Sequence, residues 1–174
     1  MTVLLRPERP SDRVEVHALH RAAFGDHGDA VVGLLDGLSP GLSLVAEDDG
    51  RVVGHVRFSP ALLDAPRQLV PVQTLSPLAV LPERQRQGIG ASLVRAGLEQ
   101  LAASGVPVVF LEGDPAYYGR LEFVAGAGLG FRRPSLRVPE PAFQAVLLPA
   151  HEPWMTGTLV YPDVFWRHDA VGLR

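Results

Sequence analysis

The sequence predicts one α/β domain over residues 1–174, built on a mixed sheet with helices on both faces. Short apolar runs typical of strands alternate with amphipathic helical segments, in the order β-α-α-β-β-β-α-β-α-β-β. Hydrophobic residues make up 47% of the 174 residues, which is enough for a full core. No apolar run reaches the 18 residues that suggest a membrane-spanning helix.

A short strand and a helix open the chain. Val3 to Arg6 reads as the strand, which the prolines between Pro7 and Pro10 end. Asp12 followed by Glu15 resembles a capping box, so a helix is predicted to start there and to stop near Gly25. The predicted buried stripe of this helix consists of Val14, Ala18, Leu19, Ala22 and Ala23.

A second helix and three strands follow. Asp29 to Leu38 is the predicted helix. Leu42 to Glu47 and Val52 to Ser59 are apolar runs joined by Asp48-Asp49-Gly50-Arg51, which predicts a hairpin. A longer strand is predicted from Leu69 to Val80, interrupted or bulged around Ser76-Pro77 because proline cannot donate to a ladder.

The second half repeats the alternation. A helix that begins near Ile89 is predicted to end at Gly105, and Val106 to Leu111 reads as a buried strand. Asp114 and Pro115 suit the N-cap and first position of a short helix. The last predicted strands are Phe143 to Leu148 and Thr158 to Tyr161.

The most informative segment is the charged loop between the long strand and the third helix. Gly88 and Gly90 lack a Cβ, so the backbone there can approach a ligand closely. The first N–H groups of the helix have no partners within it, and its dipole is positive at that end. Arg84 and Arg86 add positive charge, so the loop predicts an anion site that fits phosphate.

Three kinds of phosphate loop compete for this segment. A P-loop requires a lysine, and the chain contains none. A dinucleotide fingerprint has support from Gly88-Ile89-Gly90 and from Glu112 further on, but Leu93 stands where its third small residue belongs. The third form, Q/R-x-x-G-x-G/A, fits Gln85 to Gly90 completely.

That third form resembles the pyrophosphate loop of the Gcn5-related N-acetyltransferases (GNAT). Ser76 to Val80 is similar to the family's central strand, and Tyr117 to Phe123 to its Y-x-x-x-G-F element, with Glu122 in the glycine position. Gly113 to Gly119 looks like the run found in small bacterial members of the family. The resemblance is specific over about residues 70–131. It implies a mostly antiparallel sheet, splayed between two central parallel strands.

The resemblance also implies a direct transfer of acetyl from acetyl-CoA to an amine, in a ternary complex and without a metal. Tyr118 would be the acid that protonates the departing thiolate, with Tyr117 as its competitor. The implied acetyl-CoA contacts are Leu78, Ala79, Val80, Gln85, Arg86, Gln87, Gly88, Ile89, Gly90, Ala91, Ser92 and Tyr118. A backbone N–H near Leu78 to Val80 would supply the oxyanion donor.

The base that deprotonates the amine stays open. Glu112 ends a strand beside the predicted cleft, and His55 lies in a strand expected to neighbour the central one. A water chain is an equal alternative. His17 and His20 are read as a solvated helix face rather than metal ligands. Trp154 and Trp166 are read as packing at the core edge, with a place in an acceptor pocket as the alternative.

The composition excludes some chemistries and favours certain acceptors. Without cysteine, the chain has no disulfide and no thiolate nucleophile. A net charge of −3 and a pI near 6.0 argue against nucleic acid and favour a small or peptide amine. No signal peptide is visible, so a cytoplasmic monomer or homodimer with no membrane partner is expected. A CoA- or nucleotide-binding sensor, or a small NAD(P)-dependent oxidoreductase, remains as an alternative function.

Overall fold

The computed structural model describes residues 3–172 and confirms the predicted mixed α/β architecture. The helices are α1 Arg13–Phe24, α2 Gly28–Gly37, α3 Ile89–Ala103, α4 Pro115–Tyr118 and α5 Asp163–Arg167. The strands are β1 Leu4–Pro7, β2 Ser43–Asp48, β3 Arg51–Asp64, β4 Leu69–Val80, β5 Val108–Glu112, β6 Val124–Ala125, β7 Phe131–Arg132, β8 Phe143–Leu147 and β9 Gly157–Val160. The short strands β6 and β7 and helix α5 were not predicted.

The described chain divides into two compact units. The first comprises residues 3–59 and 75–97, and the second residues 60–74 and 98–172. In the first unit β2 pairs antiparallel with both β1 and β3. In the second unit β4 and β5 form a parallel ladder, which pairs Gln73 with Val109 and Thr74 with Phe110.

The remaining ladders of the second unit are mostly antiparallel. Strand β8 pairs antiparallel with β5 and β6, and β9 pairs antiparallel with β3 and parallel with β7. The predicted mostly antiparallel sheet with a parallel β4–β5 pair is therefore confirmed. Strand β4 has the predicted bounds and contains a cis peptide bond at Ser76-Pro77.

Helices α1 and α3 lie on opposite faces of the sheet in the first unit. Neighbouring residues of a strand point to opposite faces. On β3, His55 points to α1, where its Nδ1 lies 2.8 Å from Nε2 of His20. Gly54 points to α3, where a Cβ on it would lie 2.9 Å from Cγ2 of Ile89 and 3.0 Å from Cδ1 of Leu93.

Two glycines therefore bring α3 and β3 close together. Gly54 leaves room on the strand for Ile89 and Leu93 of the helix. Gly97 leaves room on the helix for Phe58 of the strand, because a Cβ there would lie 2.2 Å from Cε2 of Phe58. Phe58 and Leu93 are fully buried. This packing holds the N-terminal end of α3, and the loop before it, against the sheet.

The predicted start of α1 is wrong in its details. Asp12 does not cap the helix through its side chain; its carboxylate accepts from Nη1 of Arg6 at 2.7 Å and from the Arg9 N–H at 2.7 Å. Glu15 reaches β3 instead, accepting from the Val52 N–H at 3.0 Å. Both carboxylates thus join α1 to neighbouring elements, which a capping-box spacing alone does not reveal.

The predicted buried stripe of α1 is also partly wrong. Val14 is 80% exposed, Ala18 and Ala22 are exposed, and the buried residues are Val16, Leu19 and His20. The prediction of a solvated His20 is therefore wrong too. Counting His20 as polar rotated the predicted apolar face, because a histidine with a buried partner can occupy a core position.

Glu122 has the backbone conformation of the glycine that it replaces in the family's element. Its φ is +69° and its ψ is 9°, which is the left-handed region. A non-glycine residue pays about 1–2 kcal/mol there. The turn of the Y-x-x-x-G-F element is therefore kept, although its residue is unusual.

Replacing Glu122 with glycine is expected to stabilise the protein by about 0.5–1 kcal/mol, because relief of the strained φ outweighs the added entropy of the unfolded chain. Urea unfolding of Glu122→Gly against the parent measures this. Glu122→Ala is the matched control, since it removes the same carboxylate but keeps the left-handed cost. Equal stabilities for the two variants would show that the backbone strain is negligible.

Candidate functional site

The loop before α3 has the backbone geometry of an anion cradle. Arg86 has a φ of +61° and Gly88 a φ of +84°, so two left-handed residues lie within three positions. Such turns can point successive N–H groups toward one place. Nothing lies within 4 Å of a Cβ added to Gly88, so glycine is required here by the positive φ and not by lack of space.

Helix α3 contributes its first amides to the same place. The Ser92 N–H donates to the Gly88 carbonyl at 3.0 Å, which closes the first helical turn. In an α-helix the N–H groups before that one have no helical acceptor, here those of Ile89, Gly90 and Ala91. These amides and the positive end of the helix dipole together suit a pyrophosphate.

The two arginines of the loop have different roles. Arg84 forms an ion pair with the carboxylate of Asp48, which is 7% exposed, and its Nε donates to Oε1 of Gln87 at 3.3 Å. Arg86 is exposed. The expectation that both charges serve the anion is therefore corrected: Arg84 joins the loop to β2, and Arg86 carries the accessible charge.

The glutamines of the loop support its shape. Gln85 donates from Nε2 to the Val80 carbonyl at 3.1 Å, and Gln87 donates from Nε2 to the Glu83 carbonyl at 3.4 Å. Both side chains therefore bind the loop's own backbone. The predicted contacts upstream, Leu78 and Val80, are half-buried at the end of β4, and Ala79 between them is buried.

Tyr118 lies at the end of α4 in the second unit. Asp114 caps this helix, as predicted, by accepting from the Ala116 N–H at 2.9 Å. The Tyr118 ring meets Tyr117 edge-on at 4.9 Å and Phe123 at 5.8 Å. Burial, with a smaller effect of Tyr117, raises the pKa of the Tyr118 phenol far above its usual range. The hydroxyl therefore stays protonated near neutral pH and can act as a proton donor.

Glu112 ends β5 in the same unit. Its Oε1 accepts from the Tyr161 hydroxyl at 2.8 Å, and its Oε2 accepts from the Gly172 N–H at 2.9 Å. Both oxygens thus bind groups of the C-terminal segment. This geometry suits a carboxylate that holds structure more than one that accepts a proton from a substrate.

His55 belongs to a buried chain of side chains in the first unit. Its Nε2 lies 2.8 Å from Oγ of Ser43 and 3.4 Å from Oε2 of Glu8, and Ser43 itself donates to Glu8. Its Nδ1 meets His20. His55 and His20 are both 0% exposed, so His55 has no direct access to a substrate in this unit.

Sequence reasoning missed the partners of both candidate bases. Ser43 and Glu8 hold His55, while Tyr161 and Gly172 hold Glu112. These pairs are 12 to 60 residues apart, and their spacing carries no signal. Trp166 is 42% exposed on α5, and Trp154 is half-buried with Arg67 over its ring at 5.0 Å.

Residues 3–172 contain neither a membrane-spanning helix nor a group of side chains that could hold a metal ion. Among them, no helix combines the length and apolar character needed to span a bilayer. They also contain no cluster of three or more histidine or acidic side chains arranged to hold a metal ion.

The turn at Arg86 and Gly88 and the first amides of α3 form a cradle of the kind that binds the phosphates of a cofactor. The model of the GNAT acetyltransferase domain matches residues 5–125. The chain therefore belongs to the Gcn5-related N-acetyltransferase family, and it is an acetyltransferase. The family resemblance predicted from the loop is confirmed.

Two curated relatives from Escherichia coli K12 are similar over much of their length. The uncharacterised N-acetyltransferase YjhQ is 38% identical over 122 residues, which are 68% of this chain and 67% of YjhQ. The uncharacterised N-acetyltransferase YhbS is 37% identical over 130 residues, which are 72% of this chain and 75% of YhbS.

Two solved structures share the fold over nearly the whole chain. The crystal structure of E. coli YhbS in complex with CoA has a TM-score of 0.83 and 35% identity, covering 95% of this chain and 92% of that one. A GNAT acetyltransferase from Brucella melitensis in complex with acetyl-CoA has a TM-score of 0.73 and 34% identity, covering 94% and 98%.

Proposed function

We propose that this protein transfers the acetyl group of acetyl-CoA directly to a primary amine of a small molecule or peptide, within a ternary complex. The observation that carries the proposal is the left-handed turn at Arg86 and Gly88 leading into the first amides of α3. Two similar proteins whose structures contain CoA or acetyl-CoA support the choice of ligand.

In this proposal the loop binds the pyrophosphate. The N–H groups of Gln87 to Ala91 would donate to its oxygens, and Arg86 would add charge from the exposed side. Leu78, Ala79 and Val80 would pair through their backbone with the pantetheine arm, and one of their N–H groups would donate to the developing oxyanion. Gln85 and Ser92 complete the set, Gln85 by holding the loop to Val80.

Tyr118 would act at the sulfur. The acceptor nitrogen bonds to the acetyl carbonyl carbon, the carbon–sulfur bond breaks, and the thiolate takes the phenol proton. The phenol is protonated at neutral pH, as this role requires, although burial raises its pKa and so makes it a weaker acid. The amine proton does not return to Tyr118. The Tyr118 phenolate is therefore reprotonated from solvent after the transfer.

In the proposed mechanism, water carries the amine proton away. Glu112 and His55 remain the two side-chain candidates for the base. The oxygens of Glu112 bind Tyr161 and Gly172, and His55 is fully buried among Ser43, Glu8 and His20. Either group would therefore reach the amine only through intervening water.

The proposed acceptor is a neutral or cationic amine rather than an anionic polymer. The net charge of −3 supports this at the level of encounter. Among the aspartates of the first third of the chain, Asp48 pairs with Arg84 and Asp29 with Arg21, while Asp26 and Asp49 are exposed and add negative charge to the surface.

Family membership and packing also bear on the remaining proposals. The family model runs through parts of both compact units, which supports the proposal of a single catalytic domain. The NAD(P) alternative loses support, since Leu93 at the third fingerprint position is fully buried against Gly54. The sensor alternative predicts binding without transfer.

Purified protein with acetyl-CoA is expected to release CoA thiol with a subset of small and peptide amines, and to leave strongly anionic acceptors unchanged. An acceptor library with thiol detection measures this, and mass spectrometry of the product identifies the acetylated nitrogen. Calorimetry with acetyl-CoA and NADH in parallel separates the alternatives. Tight acetyl-CoA binding with no turnover across the library would favour the sensor, and preferred turnover of anionic acceptors would overturn the acceptor class.

A further inference from the structure

The C-terminal segment holds the end of β5 through Glu112. Tyr161, directly after β9, and Gly172, the last described residue, each donate one hydrogen bond to its carboxylate. Tyr161 is 6% exposed, and burial together with the Glu112 charge raises the pKa of its phenol well above the usual range. Tyr161 is therefore a permanent donor to Glu112.

The segment that carries these donors is itself fixed. The ring of Tyr161 stacks on that of Phe165 with centroids 4.6 Å apart, and Phe165 is 2% exposed. Gly172 has a φ of +74°, and a Cβ there would lie 2.7 Å from the carbonyl oxygen of Arg137. Only glycine fits, so the Gly172 N–H has a defined position against Glu112.

A short path leads from Glu112 to Tyr118. The next residue, Gly113, donates its N–H to the Ala142 carbonyl at 3.0 Å and accepts from Nε2 of Gln144 at 3.0 Å. A Cβ on Gly113 would lie 2.5 Å from Cε2 of Tyr118. The ring of Tyr118 thus rests on the backbone of Gly113, and a shift of Gly113 moves the ring.

We infer that Tyr161 and the backbone N–H of Gly172 are positioning groups for Tyr118. By binding the Glu112 carboxylate they fix the end of β5 and the next residue, Gly113. The position of Gly113 in turn fixes the Tyr118 ring that packs on it. The C-terminal segment is then a working part of the acetyl-transfer machinery, although it touches no reacting atom. This inference rests on the proposed role of Tyr118 as the acid.

Tyr161→Phe removes one donor and keeps the ring stacked on Phe165. The expected result is a kcat about tenfold lower, because small displacements of a catalytic group are costly, with acetyl-CoA affinity unchanged within twofold. His168→Gln is the control, since this side chain is exposed in the same C-terminal segment and is assigned no role in the site. Its kcat should match the parent.

A double-mutant cycle separates positioning from general damage. If Tyr161 acts through Tyr118, adding Tyr161→Phe to Tyr118→Phe should cost less than twofold further in kcat, since the acid is already gone. A full tenfold additional loss would overturn the inference. If Tyr118→Phe alone leaves kcat unchanged, the proposed acid is wrong and the inference falls with it, whatever Tyr161→Phe does.

Two further measurements, the NMR signal of Tyr118 and the kcat of Glu112→Gln, test whether the ring of Tyr118 is displaced. The chain has three tyrosines, so ring-labelled tyrosine NMR of Tyr161→Phe leaves two signals, and that of Tyr118 should shift. Gly172→Ala should give the same shift. Glu112→Gln retains an acceptor for Tyr161 but opposes an amide to the Gly172 N–H, so it should also cost about tenfold in kcat. An unshifted Tyr118 signal would overturn the inference. A Glu112→Gln loss of more than a thousandfold would overturn it too, because it would assign Glu112 a direct chemical role.

Discussion

Replacing Gly90 with glutamate is expected to weaken acetyl-CoA binding at least tenfold, or about 1.4 kcal/mol. Gly90 is the second residue of α3 and is buried. Side chains of a helix tilt toward its N-terminus, so a glutamate at this position would bring a carboxylate near the first helical amides and repel the pyrophosphate that the helix dipole attracts. Calorimetry with acetyl-CoA measures the change.

The control adds the same charge elsewhere on the same helix. Gln100 is exposed near the end of α3, so Gln100→Glu should leave the affinity within a factor of two. Arg86→Asn gives a milder test at an exposed site, because asparagine tolerates the left-handed φ while the charge is lost. Circular dichroism checks that Gly90→Glu is folded. Unchanged acetyl-CoA affinity in the folded variant would remove the loop from the acetyl-CoA site.

Tyr118→Phe is expected to lower kcat by about 10²-fold while acetyl-CoA affinity stays within a few-fold. The substitution keeps the ring against Gly113 and Phe123 and removes only the hydroxyl. Since the pKa of Tyr118 is raised, its acid form persists as pH rises through neutrality. The parent should therefore show no loss of kcat from this group up to about pH 10, near the ordinary pKa of a tyrosine.

Tyr117→Phe is the matched control for that prediction. Tyr117 is the adjacent residue of α4 and is 38% exposed, so the same atom is removed one position away. Steady-state kinetics and calorimetry on both variants give kcat and affinity separately. A damaging Tyr117→Phe beside a harmless Tyr118→Phe would move the acid to Tyr117.

The loop and the positions of most elements were predictable because their signals are local, although β3 continues beyond its predicted end at Ser59 to Asp64. Glycines at φ-demanding positions, the Asp114 cap and the apolar runs of β4 and β8 each depend on a few neighbouring residues. The same locality explains the recognition of the family from Gln85 to Gly90. Short strands such as β6, with two residues, carry too little pattern to be predicted.

The rest depended on contacts between distant positions. The burial of His20 follows from His55, 35 residues away, and the pairing of Arg84 follows from Asp48, 36 residues away. Glu15 binds the backbone of Val52 rather than capping its own helix. In each case a polar side chain finds its partner on another element, and the sequence pattern of one element contains no trace of that partner.

The buried chain from Glu8 to His20 has a direction. An ionised carboxylate only accepts, so the Ser43 hydroxyl donates its hydrogen bond to Glu8, and the Ser43 oxygen then accepts from Nε2–H of His55. In the neutral form of His55 that donates from Nε2, Nδ1 carries a lone pair that accepts from Nε2–H of His20. Nδ1 of His20 has no partner among residues 3–172, and burial lowers the pKa of this histidine to about 3. One carboxylate near the surface thus selects the tautomer of two imidazoles that no solvent reaches, and an amide at position 8 would leave that selection undecided.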